Sequence, residues 1–191
     1  MHIGVLALQG AFREHIYALE AIDARATAVR LPDQLADLDG LIIPGGESTA
    51  ISKLMVSYGF YEPIATRHAD GMAIWGTCAG AILIAKHVVD GIADQRGLEL
   101  MDITARRNAY GRQVDSFEVD LDFAHVGEMF HGIFIRAPWI ESAGEDVEVL
   151  AEQDGHICAA RQGRLMATTF HPELTGDPRV LRYFAEQVVG A

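Results

Sequence analysis

The chain has 191 residues, half of them apolar and 22% charged, a balance that builds a packed core and excludes disorder by composition. With 15 Lys and Arg against 27 Asp and Glu, its formal net charge is −12, so non-specific binding to nucleic acid or to an anionic membrane is not expected. Two cysteines are too few for a disulfide framework, and Met1-His2-Ile3-Gly4 shows neither the charged nor the long apolar region of a secretory signal, so a reducing, cytoplasmic location is expected.

Strand and helix signals alternate through the first half. Ile3–Leu8 is a continuous apolar run, as in a strand covered on both faces. Phe12, Ile16, Leu19 and Ile22 fall at helical spacing and predict a helix over 11–23. Thr27–Leu31 is a short strand that Pro32 ends, and Leu41–Ile43 a buried strand running into Pro44-Gly45-Gly46. Helices are predicted near 49–57 and 61–69, a strand at Met72–Trp75, and a helix over Ala79–Lys86. The uncharged run Gly71–Ala85 is shorter than the ~20 apolar residues of a membrane span and reads as strand, tight turn and helix. Such alternation predicts a doubly wound α/β fold with a mainly parallel sheet.

After Gly97 the pattern changes to short alternating segments near 103–110, 114–121, 132–136, 147–153, 157–161 and 165–170, which predict added antiparallel hairpins. Asp177–Val189 reads as a closing helix with Asp177 as N-cap and Pro178 in the first turn. With no linker, repeat or low-complexity tract, residues 1–191 are expected to form a single domain.

Gly76-Thr77-Cys78-Ala79-Gly80 has the form G-x-C-x-G between a predicted strand and a predicted helix. The serine form of this spacing is a nucleophile elbow, a turn so sharp that its flanks must be small. A helix N-terminus at Cys78 favours thiolate, and the N–H of Ala79 is a candidate oxyanion donor. The alternative for the pentapeptide alone is a buried structural cysteine. Cys158, in an apolar strand pattern, reads as core.

A nucleophilic cysteine needs a base and the base an orienter. Of eight histidines, His15, His68, His125 and His131 have unremarkable neighbours, and no metal-ligand spacing occurs. His171 differs. Pro172 biases it towards an extended conformation, in which Glu173, two positions on, shares its side and can fix its tautomer. Gly45-Gly46 after a strand can turn N–H groups inward as an anion nest. Arg107 and Arg136 are candidate bidentate donors to a carboxylate, and Glu47 or backbone carbonyls candidate acceptors for an ammonium group. For Arg106, Arg107 and Arg112 the other reading is a solvated basic face.

Together, the elbow and Phe170-His171-Pro172-Glu173 resemble the class I (triad) glutamine amidotransferases, whose fold is flavodoxin-like. Gly4–Phe12, Pro44–Thr49, Arg107–Gln113 and Phe134–Pro138 narrow the resemblance to the glutaminase subunits of pyridoxal 5′-phosphate synthases, over residues 1 to about 185. The resemblance implies Cys78, His171 and Glu173 as catalytic residues. It implies Gly46, Glu47, Ser48, Arg107, Ile135 and Arg136 as glutamine-binding residues, with Gly46 and Ala79 forming the oxyanion hole. Ala50 and Tyr110 depart from the family text without removing a reacting group. No metal or organic cofactor is implied. The implied partners are L-glutamine and a (β/α)₈-barrel synthase subunit in a large hetero-oligomer, to which ammonia is passed.

Overall fold

The computed structural model describes residues 1–92, 95–107 and 116–190. The expected Arg112, and most of the Arg107–Gln113 segment, lie outside the described residues. The elements in chain order are β1 (His2–Leu6), α1 (Phe12–Glu20), β2 (Arg25–Val29), β3 (Gly40–Ile43), α2 (Ser48–Tyr58), α3 (Tyr61–Ala69), β4 (Ala73–Thr77) and α4 (Ala79–Ile84). There follow β5 (Ala85–Val89), β6 (Met101–Arg106), β7 (Phe117–Leu121), β8 (Phe130–Phe134), β9 (Trp139–Ala143), β10 (Glu148–Gln153), β11 (His156–Gln162), β12 (Leu165–Thr168) and α5 (Arg179–Tyr183).

Among the described residues a ten-stranded sheet runs β2-β1-β3-β4-β12-β11-β9-β6-β5, with β10 pairing on β11. From β2 to β12 every pairing is parallel. Beyond β12 the sheet is extended by antiparallel pairs, and β5 returns parallel to β6. The β7–β8 hairpin forms a separate two-stranded sheet. Helices on both faces explain why β3 and β4 are wholly buried and read as unbroken apolar runs. Along β4, Ile74 joins one core layer, while Ala73 and Trp75 join the other. Trp75 is fully buried, and its indole N–H donates to Thr168 Oγ1 at 3.1 Å.

Several boundaries differ from the sequence reading. The helix predicted to reach Lys86 stops at Ile84, because Ala85 turns extended and pairs with Met101. All of α4 is buried, whereas Lys86 is solvent-facing and pairs with Asp102 at 3.2 Å. One of the hairpins expected after residue 97 is instead a non-sequential pairing, β6 with β9. The closing helix starts at Arg179 and becomes π-helical over Phe184–Val189. Asp177 still works at its start: Oδ1 accepts from the Arg179 N–H at 3.0 Å. No helix among the described residues is long and apolar enough to cross a membrane.

Candidate active site

β3, β4 and β12 are adjacent and parallel, with Ile43 opposite Gly76 and Thr168 opposite Thr77. Their carboxyl ends therefore open at one place, where ligands collect in such sheets. The chain leaves β3 into Pro44-Gly45-Gly46, β4 into Cys78, and β12 into Thr169-Phe170-His171. Topology alone thus brings together three segments that lie far apart in sequence.

At the elbow, Cys78 has φ 48° and ψ −104°, a conformation that a residue with a side chain holds only against strain. Its N–H donates to the Thr168 carbonyl at 2.8 Å, and its carbonyl accepts from Ala81 at 3.1 Å, so both sides of the turn are tied down. A Cβ on Gly76 would lie 2.4 Å from the Gly80 carbonyl oxygen, so the first glycine admits the start of α4. Cys78 is nearly buried at 7% exposure, at the floor of a cavity of about 400 Å³.

His171 is anchored by its N–H, which donates to the Ile133 carbonyl of β8 at 2.8 Å. Its Nδ1 lies 2.7 Å from Glu173 Oε1, and its ring stands beside Cys78 in the cavity wall. Burial works against a charge on this ring. The interactions with Cys78 and with Glu173 outweigh it and push its pKa up to about 10. Burial likewise opposes ionisation of Glu173, but His15 and His171 hold its pKa below the ordinary value. His171 itself is non-helical at φ −111° and ψ 82°, as Pro172 leads one to expect, but the extended path does not continue, since Pro172–Leu174 is a turn of 3₁₀ helix. Glu173 reaches the imidazole because that tight turn folds it back.

The folded His171 midpoint lies above the ordinary 6.5. Its protonated form therefore stabilises the fold fully below pH 6.5, and that contribution is lost as pH rises towards about 10. Cys78→Ala removes one of the two groups that raise this value. The His171 midpoint, read from its ring resonances in NMR titration, is expected to fall in the variant. The loss of denaturation midpoint over the same pH window is expected to shrink with it.

The cavity wall includes Gln9, Gly46, Glu47, Ser48, Ala79, Arg107, Ile135, Arg136 and His171. All the residues expected to bind substrate are thus brought together with Cys78, while Glu173 stands behind His171. Their side chains differ in availability. The Glu47 carboxylate caps α2, accepting from Thr49 N–H at 3.0 Å and Ala50 N–H at 2.6 Å. Those bonds and nearby Arg107, 3.7 Å away, hold its pKa low despite partial burial. The Arg107 guanidinium donates to Gln95 Oε1 at 2.7 Å, and the Ser48 hydroxyl donates to the same oxygen at 3.3 Å. Arg106 points elsewhere and is bound to Glu141 and to Asp90. The solvated-face reading thus suits Arg106, and Arg107 joins the cavity. Arg136 sits at φ 44°, a strained backbone at the cavity rim.

The Gly45 carbonyl accepts from the Ala11 N–H at 3.0 Å. Across the planar trans peptide, the Gly46 N–H points the opposite way. A Cβ on Gly45 would come within 2.5 Å of His171 Cε1 and 3.2 Å of Cys78 Cβ, so glycine lets this backbone lie against both. Besides Gln95, three participants in the neighbourhood escaped the sequence reading. Gln9 Oε1 accepts from the Glu47 N–H at 2.9 Å, and Thr77 Oγ1 accepts from the Gly45 N–H at 3.0 Å. His15 is fully buried behind Glu173. The signal for His15 was available, because it falls between Phe12 and Leu19 on the apolar stripe of α1.

The fold is that of the glutamine amidotransferases. A crystal structure described as a glutamine amidotransferase matches with TM-score 0.93 and 47% identity, covering 99% of each chain. The fold extends to a structure of PurLQS from Thermotoga maritima, at TM-score 0.69 and 18% identity over 98% of each chain. More narrowly, the chain belongs to the SNO glutamine amidotransferase family, whose sequence model matches residues 5–190. Relatives named pyridoxal 5′-phosphate synthase subunit PdxT include one from Streptomyces coelicolor, 56% identical over 97% of this chain and 93% of its own. Another, from Herpetosiphon aurantiacus, is 58% identical over 96% of this chain and 98% of its own.

Proposed function

We propose that this chain, as one domain over residues 1–191, hydrolyses L-glutamine to L-glutamate and ammonia in the cytoplasm and supplies the ammonia to a barrel synthase subunit that makes pyridoxal 5′-phosphate. The observation that carries the reading is the convergence of Cys78 and His171 in the wall of one amino-acid-sized cavity, with Glu173 bonded to His171 behind it. The Cys78 thiolate attacks the side-chain amide carbon, and the carbonyl electrons move to oxygen, where the Gly46 and Ala79 N–H groups receive them. Protonated His171 gives its proton to the departing nitrogen, leaving ammonia and a glutamyl thioester. Neutral His171 then takes a proton from water, whose oxygen displaces the sulfur and completes glutamate. Glu173 holds Nδ1 and stabilises each imidazolium. Arg107 and Arg136 favour the substrate carboxylate. Because the Glu47 carboxylate is occupied as a helix cap, the substrate ammonium is left chiefly to backbone carbonyls.

The two relatives are named as subunits of a synthase, which supports a partner that consumes the ammonia. A free glutaminase would waste glutamine, so docking is expected to raise turnover by about tenfold or more. Glutamate release is measured with and without the synthase partner, with pyridoxal phosphate followed by absorbance. No glutamate under either condition sinks the activity. Equal turnover in both sinks the gating alone.

A further inference from the structure

His15 is a buried titratable side chain that the reaction above does not use. Its Nε2 lies 3.1 Å from Thr77 Oγ1 and 3.4 Å from Glu173 Oε2. Glu173 Oε1 is taken by His171, whereas Oε2 is fully buried and has no hydrogen-bond partner among the described residues, its contact with His15 being an ion-pair distance of 3.4 Å. A carboxylate oxygen shut away from water needs a donor, and His15 offers the one that faces it.

Which nitrogen carries the proton follows from the surroundings. A carboxylate oxygen only accepts, so a bare lone pair on Nε2 would repel Oε2. His15 Nδ1 is buried without a partner among the described residues, and an orphan N–H there is a worse outcome than an orphan lone pair. The proton therefore sits on Nε2, shared between Thr77 and Glu173. Burial lowers the pKa of His15, as does His171, against the opposing charges of Glu173 and Glu14, so its surroundings favour the neutral ring. Its face is fixed by Trp75, which meets it edge-on at 5.8 Å. Thr77 Oγ1 also accepts the Gly45 N–H, so one hydroxyl joins His15 to the glycine turn beside Cys78.

We propose that His15 is a positioning residue: its Nε2–H holds the second carboxylate oxygen of Glu173, so that the first stays on His171, and through Thr77 it ties that carboxylate to the Gly45 turn. The proposal rests on Cys78, His171 and Glu173 being the reacting groups. His15 does not line the cavity around Cys78, so its loss should lower kcat and leave KM alone. Misplacing a base or its orienter by about 1 Å costs up to ~10²-fold.

The test compares His15→Met with His15→Gln in the full chain, assayed with the synthase partner present. The two replacements are unbranched and of similar length, but only glutamine donates a hydrogen bond. His15→Met is expected to lose about tenfold or more in kcat with KM unchanged, and its His171 NMR midpoint should fall. His15→Gln should recover most of both. Equal kcat in the two variants overturns the proposal, whether both are impaired, as for a packing defect, or neither is. If either fails to fold by circular dichroism, His15→Leu against His15→Asn repeats the comparison with a second near-isosteric pair. Glu173→Gln runs alongside: wild-type kcat there overturns the reading of the reacting groups themselves, whereas a dead Glu173→Gln beside an active His15→Met overturns only the role of His15.

Discussion

Cys78→Ala is expected to lower glutamate release from glutamine by about 10⁴-fold or more, since removing a nucleophile leaves only the binding and oxyanion contributions. Fold stability should barely change. The side chain is small, and alanine keeps the same strained backbone at φ 48°, so the melting temperature should move by only a few degrees, as for about 1 kcal/mol in a chain of this size. Cys158 provides the internal control. It is buried in β11, and burial pushes its thiol up to about 12, so it stays protonated and inert at neutral pH. Cys158→Ala should keep kcat, and iodoacetamide should label Cys78 alone. Substantial turnover in Cys78→Ala, measured as glutamate by an enzyme-coupled assay, would remove the thioester from the mechanism.

The strands that carry the reacting groups were legible in the sequence for a physical reason. β3 and β4 are buried on both faces, so their apolar runs are unbroken, and the small residues around Cys78 are forced by backbone contact. Where local signals failed, tertiary pairing had overridden them. Ala85 continues an apolar helical pattern, yet Met101 captures its backbone into a parallel pair. Trp139–Ala143 carries too little alternation to stand out, and it is a strand because β6 and β11 flank it. Glu173 pairs with His171 as its spacing suggests, but a 3₁₀ turn and not extended chain returns it to the imidazole. His15 has unremarkable neighbours in sequence because its partners come from β4 and from the turn after β12, which no local window contains. Glu47 shows the converse: sequence offered its carboxylate to the substrate, and the start of α2 had already taken it.

Gly80→Ala is expected to be the most damaging single methyl group at this elbow. A Cβ there would lie 1.9 Å from the Ile43 carbonyl oxygen, far inside contact distance, and the obstacle is backbone at the end of β3. No rotamer change relieves it, so α4 must shift away from β3. Alanine would gain up to about 1 kcal/mol in helix propensity over glycine. Overpacking against an immobile neighbour costs about 3 kcal/mol, so the net loss is about 2 kcal/mol, or roughly 4–8 °C in melting temperature. Activity should fall with it, because the shift carries Ala79 and Cys78 away from Gly46. Gly91→Ala is the matched control: its added Cβ meets Val88 no closer than 3.5 Å, and a surface change of this kind stays within about 0.5 kcal/mol. Calorimetry on the two variants decides the point. If Gly80→Ala melts with Gly91→Ala and retains glutaminase activity, then the close approach of α4 to β3 does not hold the elbow, and the strain at Cys78 must be borne by the hydrogen bonds to Thr168 and Ala81 instead.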